Sequence, residues 1–250
     1  MMTYHAFLFD YDAFARELKP LAEECLRTGA TPNTYLSWAL AEVLPDAGRL
    51  AEAADVFLER GAFDAGQARR YLEACRAAGL ALRLHGDQFT ESGAIPLAVE
   101  LGARSVDHLE ATGAEGIAAL AASDVAGVLL PASALFLDRP MPPARALVDA
   151  GAVVALATDF NPGSSFTTSL PFVCALACTQ LHLSPGEALT AVTVNAGHVL
   201  GRARTAGRLV PGGAADLVLV EGGDWRYLAY ALAEDVVAGV VKDGRIAVRR

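Results

Sequence analysis

Three stretches of the chain end an otherwise apolar run on polar, ionisable groups: "LRLHGDQF" at 82–89, "SVDHL" at 105–109 and "VVALATDF" at 153–160. The imidazole of His85 can bind a divalent metal through one ring nitrogen while a neighbour holds the other, or it can be a hydrogen-bonded structural histidine. His108 can be a metal ligand, or a base and electrostatic partner to a water nucleophile. Asp159 can ligate a metal and accept a proton from water. Gln88 has no acidic proton to give, but either end of its amide can hydrogen-bond a neutral polar substrate. Asp87 reads as support for His85 or as a loop cap. Asp107 precedes His108 by one residue and is expected on the other face of its strand, in a structural role. After Asp159 the loop "NPGSS" offers the Asn161 amide, the Ser164 hydroxyl and approachable backbone N–H groups at Gly163. That set fits a cradle for a carboxylate, and equally a tight turn ahead of a helix. His182 and His198 fall in helical text and are expected to be structural, and His5 stands near a possible strand end.

The elements that carry these groups alternate. From Leu50 to Leu200, helix-length amphipathic segments take turns with short apolar runs. "DAGQARRYLEACRAAG" has helical spacing, Asp64 as N-cap and Gly79 as its stop. The apolar runs are nearly continuous, as parallel strands covered on both faces would be. Strand–helix units with polar residues at the strand C-termini are the pattern of a (β/α) barrel, whose chemistry sits at that rim. A doubly wound open sheet would bring a glycine-rich phosphate loop at a strand end, and the sequence has none. Beyond Gly201 the text changes to short strands and Gly-rich turns, with "KDGR" a hairpin signal. The expected fold is α/β: an incomplete TIM-like (β/α) barrel over 1–201 and a small C-terminal β-structure over 202–250. About six strand–helix units can be counted, including "AADVFLE" and a strand end at "TYHAF", against the eight of a full barrel. The stretch from Asp12 to Asp46 adds helix and loop but no clear strand.

Bulk composition narrows the function classes. At 250 residues and 53% hydrophobic, the chain can bury a large core. No apolar run approaches the roughly 20 residues of a membrane span, and the start lacks the basic region and cleavage site of a signal peptide. A net charge of −9 with scattered acids argues against nucleic-acid or anionic-membrane binding. Four cysteines without disulfide or zinc-knuckle spacing read as reduced, buried thiols, so the expected location is the cytoplasm.

"HGDQF", "SVDHLE", "GVLLPASALFL", "ATDFNPGSS" and "VTVNAGHVLG" occur in that order, and together they resemble the imidazolonepropionases of the amidohydrolase superfamily. The resemblance runs from about Ala54 to the C-terminus. It implies a barrel of the metal-dependent hydrolase type that uses zinc or iron. It also implies a small-molecule substrate, 4-imidazolone-5-propanoate, opened by water to N-formimidoyl-L-glutamate in histidine degradation, and a homodimer. Carried over residue by residue, His85 and Asp159 are metal ligands and His108 is the catalytic histidine, with Asp159 also catalytic. Gln88 contacts the substrate, Asn161, Gly163 and Ser164 hold its carboxylate, and His5 in "TYHAF" is set against a substrate-contacting histidine. The family's His-x-His pair of metal ligands does not occur in this sequence. The expectation is therefore either the C-terminal two thirds of such an enzyme or a degenerate member. Another cyclic-amide or aminated-ring amidohydrolase, and a non-catalytic relative, are the alternatives.

Overall fold

A computed structural model describes residues 51–249 apart from 233. His5, the strand end at "TYHAF" and the stretch from Asp12 to Asp46 lie outside the described residues.

Five parallel strands lie side by side in chain order: β1 (Ala53–Leu58), β2 (Ala81–Gly86), β3 (Ser105–His108), β4 (Ala126–Leu129) and β5 (Val154–Leu156). Between them run α1 (Ala65–Ala77), α2 (Ala94–Leu101), α3 (Ala114–Ala121), then α4 (Pro131–Phe136) and α5 (Ala144–Asp149). Every one of these strands was legible from its apolar run. The short helix α4 was not, because "LLPASALF" reads through as one apolar stretch; Pro131 at its first turn starts the helix. Asp64 caps α1 with a capping box, its side chain accepting from Gln67 N–H while Gln67 reaches back. Gly79 takes the left-handed conformation (φ 84°) just past the helix end, as its position suggested.

Strand alternation sorts the residues into two layers. Ala54, Val56, Leu58, Leu82, Leu84 and Val106 are buried in one core with Leu72 of α1, Ile95 of α2 and Leu120 of α3. Each such leucine or isoleucine contributes about 1.5–3 kcal/mol of burial, so this layer dominates the stability of the sheet. The opposite face alternates out of that core. By register it carries Asp55 and Phe57 of β1, Arg83 and His85 of β2, and Ser105 and Asp107 of β3. On β4 and β5 the same face is small and apolar: Ala126, Val128 and Ala155 cluster with Leu130 and Val199. The expectation of continuously apolar strands thus fails for β1 and β2, where fully and partly buried residues alternate. Their inner face carries charged groups, and one of these, Arg83, donates from Nη2 to the Val199 carbonyl at 3.0 Å.

After β5 come α6 (Leu170–Thr179), α7 (Pro185–Thr190), a π-helical turn (Ala191–Asn195) and α8 (Ala196–Val199). "SPGEALTAVTVNAGHVLG" reads as one regular helix, but its middle is wound wider. The Asn195 side chain donates to the Val154 carbonyl of β5 at 2.7 Å. Gly207 lies so close that a Cβ there would stand 2.4 Å from the Thr193 carbonyl oxygen. β-Branched Val192, Thr193 and Val194 and these tertiary demands outweigh simple helical periodicity.

The last part of the chain forms an antiparallel sheet of β6 (Leu217–Val220), β7 (Val237–Lys242) and β8 (Arg245–Arg249). The β7–β8 turn is Asp243-Gly244 with φ of 50° and 75°, the two-residue hairpin that "KDGR" announced. A single turn of 3₁₀ helix, Trp225–Ala229, precedes β7.

Candidate active site at the strand ends

The residues singled out for chemistry gather at the C-terminal ends of β2, β3 and β5. His85 is the penultimate residue of β2 and sits on the inner face. Its Nδ1 lies 2.7 Å from Oδ2 of Asp55, two residues before its register partner Phe57 on β1, and 3.9 Å from Oδ2 of Asp107. Burial pushes this imidazole's pKa down, but Asp55, and then Asp107 and Asp159, outweigh it and hold it at about 10. Three carboxylates around one imidazole make a place that favours a cation, whether a proton or a metal ion.

Asp107 departs from its expected place. It is the register partner of His85, so the two share a face, and it is no bystander behind the sheet. Burial pushes its carboxyl up and nearby Asp55 adds to that, against the pull of His85, Ser105 and Arg83. His108, by contrast, pairs with Gly86 and by alternation belongs to the other face. The backbone corrects this: His108 and Leu109 both adopt positive φ, 87° and 72°. The turn brings the His108 ring to 5.3 Å from the His85 ring, edge to face. Two successive left-handed residues, neither of them glycine, cost roughly 1–3 kcal/mol each. Leu109 anchors the turn, fully buried over Gly127, where a Cβ would stand 2.8 Å from its Cδ1.

Asp87 and Asp159 also have positive φ, 53° and 52°. So the ends of β2, β3 and β5 all carry non-glycine left-handed backbone at the residues picked out for chemistry. Such backbone clusters at functional sites, because it is kept only where the surroundings impose it. Asp87 acts as a tie and is buried. Its carboxylate accepts from the Ser92 N–H and hydroxyl, both at 2.8 Å, and from the Thr112 hydroxyl at 3.1 Å, joining the loops after β2 and β3. Of the two roles open to it, the loop cap is the one it fills. Gln88 is buried beside it.

The loop after β5 is closed upon itself. Asn161 Oδ1 accepts from the backbone N–H of Gly163 (2.8 Å) and of Ser164 (2.7 Å), while its Nδ2 donates to the Asp159 carbonyl (2.7 Å) and to Ser164 Oγ (2.8 Å). This is the tight turn that was one of the two readings. The N–H groups that could hold a carboxylate point at an acceptor that a carboxylate could replace.

Three carboxylates escaped the sequence reading. Asp55 supports His85. Glu59, just past β1, accepts from the backbone N–H of Phe89 at 2.9 Å and from the Thr90 hydroxyl, pinning the loop that carries Gln88. Burial pushes the Glu59 carboxyl up, but the hydrogen bonds from Thr90, Phe89 and Arg60 prevail and hold it below the ordinary range. Glu110 lies beside His108. In each case the sequence signal was an acid within or directly after an apolar run, visible in "ADVFLE" and "DHLE".

A metal ion can be weighed against these donors. His85, held at Nδ1 by a carboxylate, leaves Nε2 as the ligand nitrogen, the arrangement metal-binding histidines adopt. Asp159 is near enough to act on it electrostatically. Among the described residues no three His, Cys, Asp or Glu side chains are grouped closely enough to hold a metal. These residues fit part of a catalytic centre, which takes three or more protein ligands.

No described helix is long and apolar enough to cross a membrane. Residues 22–248 match the model of an amidohydrolase family. The chain is 65% identical over 210 residues to imidazolonepropionase of Rubrobacter xylanophilus, covering 84% of the chain and 51% of that protein. It is 45% identical over 219 residues to the imidazolonepropionase of Geobacillus kaustophilus, with 87% and 52% covered. The chain thus spans about half the length of the curated relatives it matches. Among solved structures, it superposes on a zinc-bound adenosine deaminase from Xanthomonas campestris with a TM-score of 0.67 at 20% identity, covering 79% of this chain and 52% of that one. A mutant atrazine chlorohydrolase from Arthrobacter aurescens, complexed with zinc and atraton, gives 0.70 at 20% identity, with 86% and 56% covered. These structural likenesses concern the fold, an α/β arrangement consistent with an incomplete TIM-like barrel and a small antiparallel sheet. With the matching family model spanning most of its length, the chain belongs to the amidohydrolase family.

Proposed function

We propose that this chain carries the hydrolytic strand ends of an imidazolonepropionase, which opens 4-imidazolone-5-propanoate to N-formimidoyl-L-glutamate in the cytoplasm. The observation that supports the reading is that His85, His108 and Asp159 stand at the ends of β2, β3 and β5, with the His85 and His108 rings 5.3 Å apart and Asp159 acting electrostatically on His85. The 65% identity to a curated imidazolonepropionase directs it to this substrate and to histidine degradation. The two units, 1–201 and 202–250, are a partial barrel and part of a composite β-domain, and the working form is a homodimer.

Water adds to the ring carbonyl carbon, the adjacent ring C–N bond breaks, and the departing nitrogen takes a proton. Asp159 accepts the proton that water gives up, and His108 helps by accepting a hydrogen bond from the attacking water and orienting it. A divalent ion held by His85 and Asp159, zinc or iron, supplies Lewis-acid polarisation when bound. Gln88 holds the ring through its amide without exchanging a proton. The propionate carboxylate replaces Asn161 Oδ1 as acceptor for the Gly163 and Ser164 N–H groups, with the Ser164 hydroxyl as a third donor. His5 is assigned a contact with the substrate by its place in "TYHAF".

The test is an assay of imidazolonepropionate loss with the 250-residue chain, and with the chain joined to whatever residues precede it in its reading frame. Turnover in either form supports the reading. A metal-loaded longer protein that ignores this compound but opens another cyclic amide defeats it.

A further inference from the structure

Glu110 is a buried acid that the proposed reaction does not use. It sits two residues after His108, and its side chain is 2% exposed, against 5% for that of His108. Among the described residues neither oxygen of Glu110 has a hydrogen-bond partner, and neither does Nδ1 of His108. These unsatisfied atoms face each other, with Nδ1 3.6 Å from Oε1. A strand in regular alternation would also place residues 108 and 110 on one side, but the strand has ended at His108. Here the two left-handed residues, His108 and Leu109, make the turn that brings imidazole and carboxylate together.

Buried polar groups are rarely left unmatched, and each unmatched one calls for an explanation. A distance of 3.6 Å is slightly beyond a hydrogen bond, and catalytic hydrogen bonds are often long until substrate arrives. We propose that Glu110 is a positioning residue for His108. Its carboxylate accepts the Nδ1–H, which selects that tautomer and leaves the Nε2 lone pair to face the reacting water. In a neutral imidazole, the hydrogen bond made by one nitrogen decides which nitrogen carries the proton. The mirrored device is already present at the neighbouring strand end, where Asp55 holds Nδ1 of His85. The catalytic consequence rests on the role proposed above for His108, whereas the tautomer itself does not.

The experiment is long-range ¹H–¹⁵N correlation on the 250-residue chain with ¹⁵N-labelled histidines, at a pH where His108 is neutral; His108→Gln assigns its signals among the five histidines. The wild-type ring is expected to carry its proton on Nδ1. Glu110→Gln should keep that form, because the amide carbonyl still accepts, and Glu110→Leu should lose it in favour of Nε2–H. A wild-type ring protonated on Nε2, or a Glu110→Leu ring unchanged from wild type, overturns the proposal. Should the leucine variant not fold, the wild-type tautomer decides alone. A chain with the Nδ1–H ring whose longer form ignores imidazolonepropionate supports this inference and defeats the proposed function. An active enzyme with the Nε2–H ring does the reverse.

Discussion

Nδ1 of His85 lies 2.7 Å from Oδ2 of Asp55, so a strand that carried no suspected chemistry supplies the group that orients the first metal-ligand candidate. Supporting partners of this kind fix which nitrogen faces the metal and raise its basicity, and losing one costs about 10- to 100-fold in metal affinity. Asp55→Ala should weaken Zn²⁺ or Co²⁺ binding by that order, measured by competition with a chromophoric chelator. Asp55→Asn should fall between, because its carbonyl can accept the Nδ1–H without the charge. Equal affinity in all three proteins would mean that Nδ1 of His85, not Nε2, is the ligand nitrogen, or that His85 is not a ligand.

Gly86 follows His85 and is the point where α2 presses against the strand end. A Cβ built on it would stand 2.2 Å from the Cβ of Ala94 and 3.1 Å from Ser92 Oγ. Ala94 is fully buried in the helix and cannot swing aside like the tip of a long side chain. Gly86→Ala should destabilise the fold by about 1–3 kcal/mol or more, read from the urea midpoint with an unchanged slope. The same shift would move His85, so metal affinity should fall with stability. A variant as stable as the wild type would show that α2 can slide away at little cost.

The strands could be read from the text because an apolar run of five or so residues has few other uses. The endings could be read because His85, His108 and Asp159 break such runs. What stayed hidden depends on geometry that one strand does not contain. Asp55 reaches His85 through the β1–β2 register, and the register is a property of two segments together. The side of Asp107 follows from the β2–β3 register, and that of His108 from positive φ at a histidine and a leucine, which local propensity disfavours and only tertiary packing, such as that of Leu109 over Gly127, can impose. The π turn at Ala191–Asn195 was hidden for the same reason, since Gly207 and the Val154 carbonyl that shape it lie elsewhere in the chain. The loop at Asn161 was half legible: the turn was readable from Asn-Pro-Gly, but not that its N–H groups would be spoken for.

Away from the site, Glu187 joins two helices that follow different strands. It takes part in the capping box of α7 with Ser184 and receives a two-pronged ion pair from Arg145 of α5, at 2.9 and 3.0 Å. Arg145, the Ser184 backbone and the Ser184 hydroxyl hold its carboxyl at about 2. A depressed carboxyl stabilises the fold above its unfolded pKa, near 4.3, and that contribution fades as pH falls toward the folded value. Glu187→Gln should therefore lower stability at pH 7 by about 0.5–1 kcal/mol, since the ion pair is partly exposed and screened, and the gap should close between about pH 4.5 and 2. Unfolding curves at several pH values check this. A gap that stays constant with pH would assign the loss to the cap's hydrogen bonds and not to the charge.

Asp159 and Ser164 lie in one loop but should fail in different ways. The proposed reaction asks Asp159 to take a proton and to hold a cation, so on that proposal Asp159→Asn removes work done as water attacks. General-base contributions are on the order of 10²- to 10⁴-fold, and the loss should appear in kcat. In the proposed reaction Ser164 offers its hydroxyl to a carboxylate that is bound before and after the bond breaks. Ser164→Ala removes one hydrogen bond, about 0.5–1.5 kcal/mol, and should raise KM roughly 2- to 10-fold with little change in kcat. The loop adds a complication that sharpens the test. Ser164 Oγ is also the acceptor for Asn161 Nδ2 at 2.8 Å, so the alanine variant removes one of the two hydrogen bonds from that end of the loop-closing amide and leaves the one to the Asp159 carbonyl. If closure by Asn161 competes with the substrate carboxylate, Asn161→Ala should weaken that competition while removing a contact, and its KM should rise less than that of Ser164→Ala. Steady-state kinetics of the three variants in a protein that turns over imidazolonepropionate separate these effects. A kcat loss in Ser164→Ala as deep as that of Asp159→Asn would place the serine at the reacting bond and remove the loop from carboxylate binding.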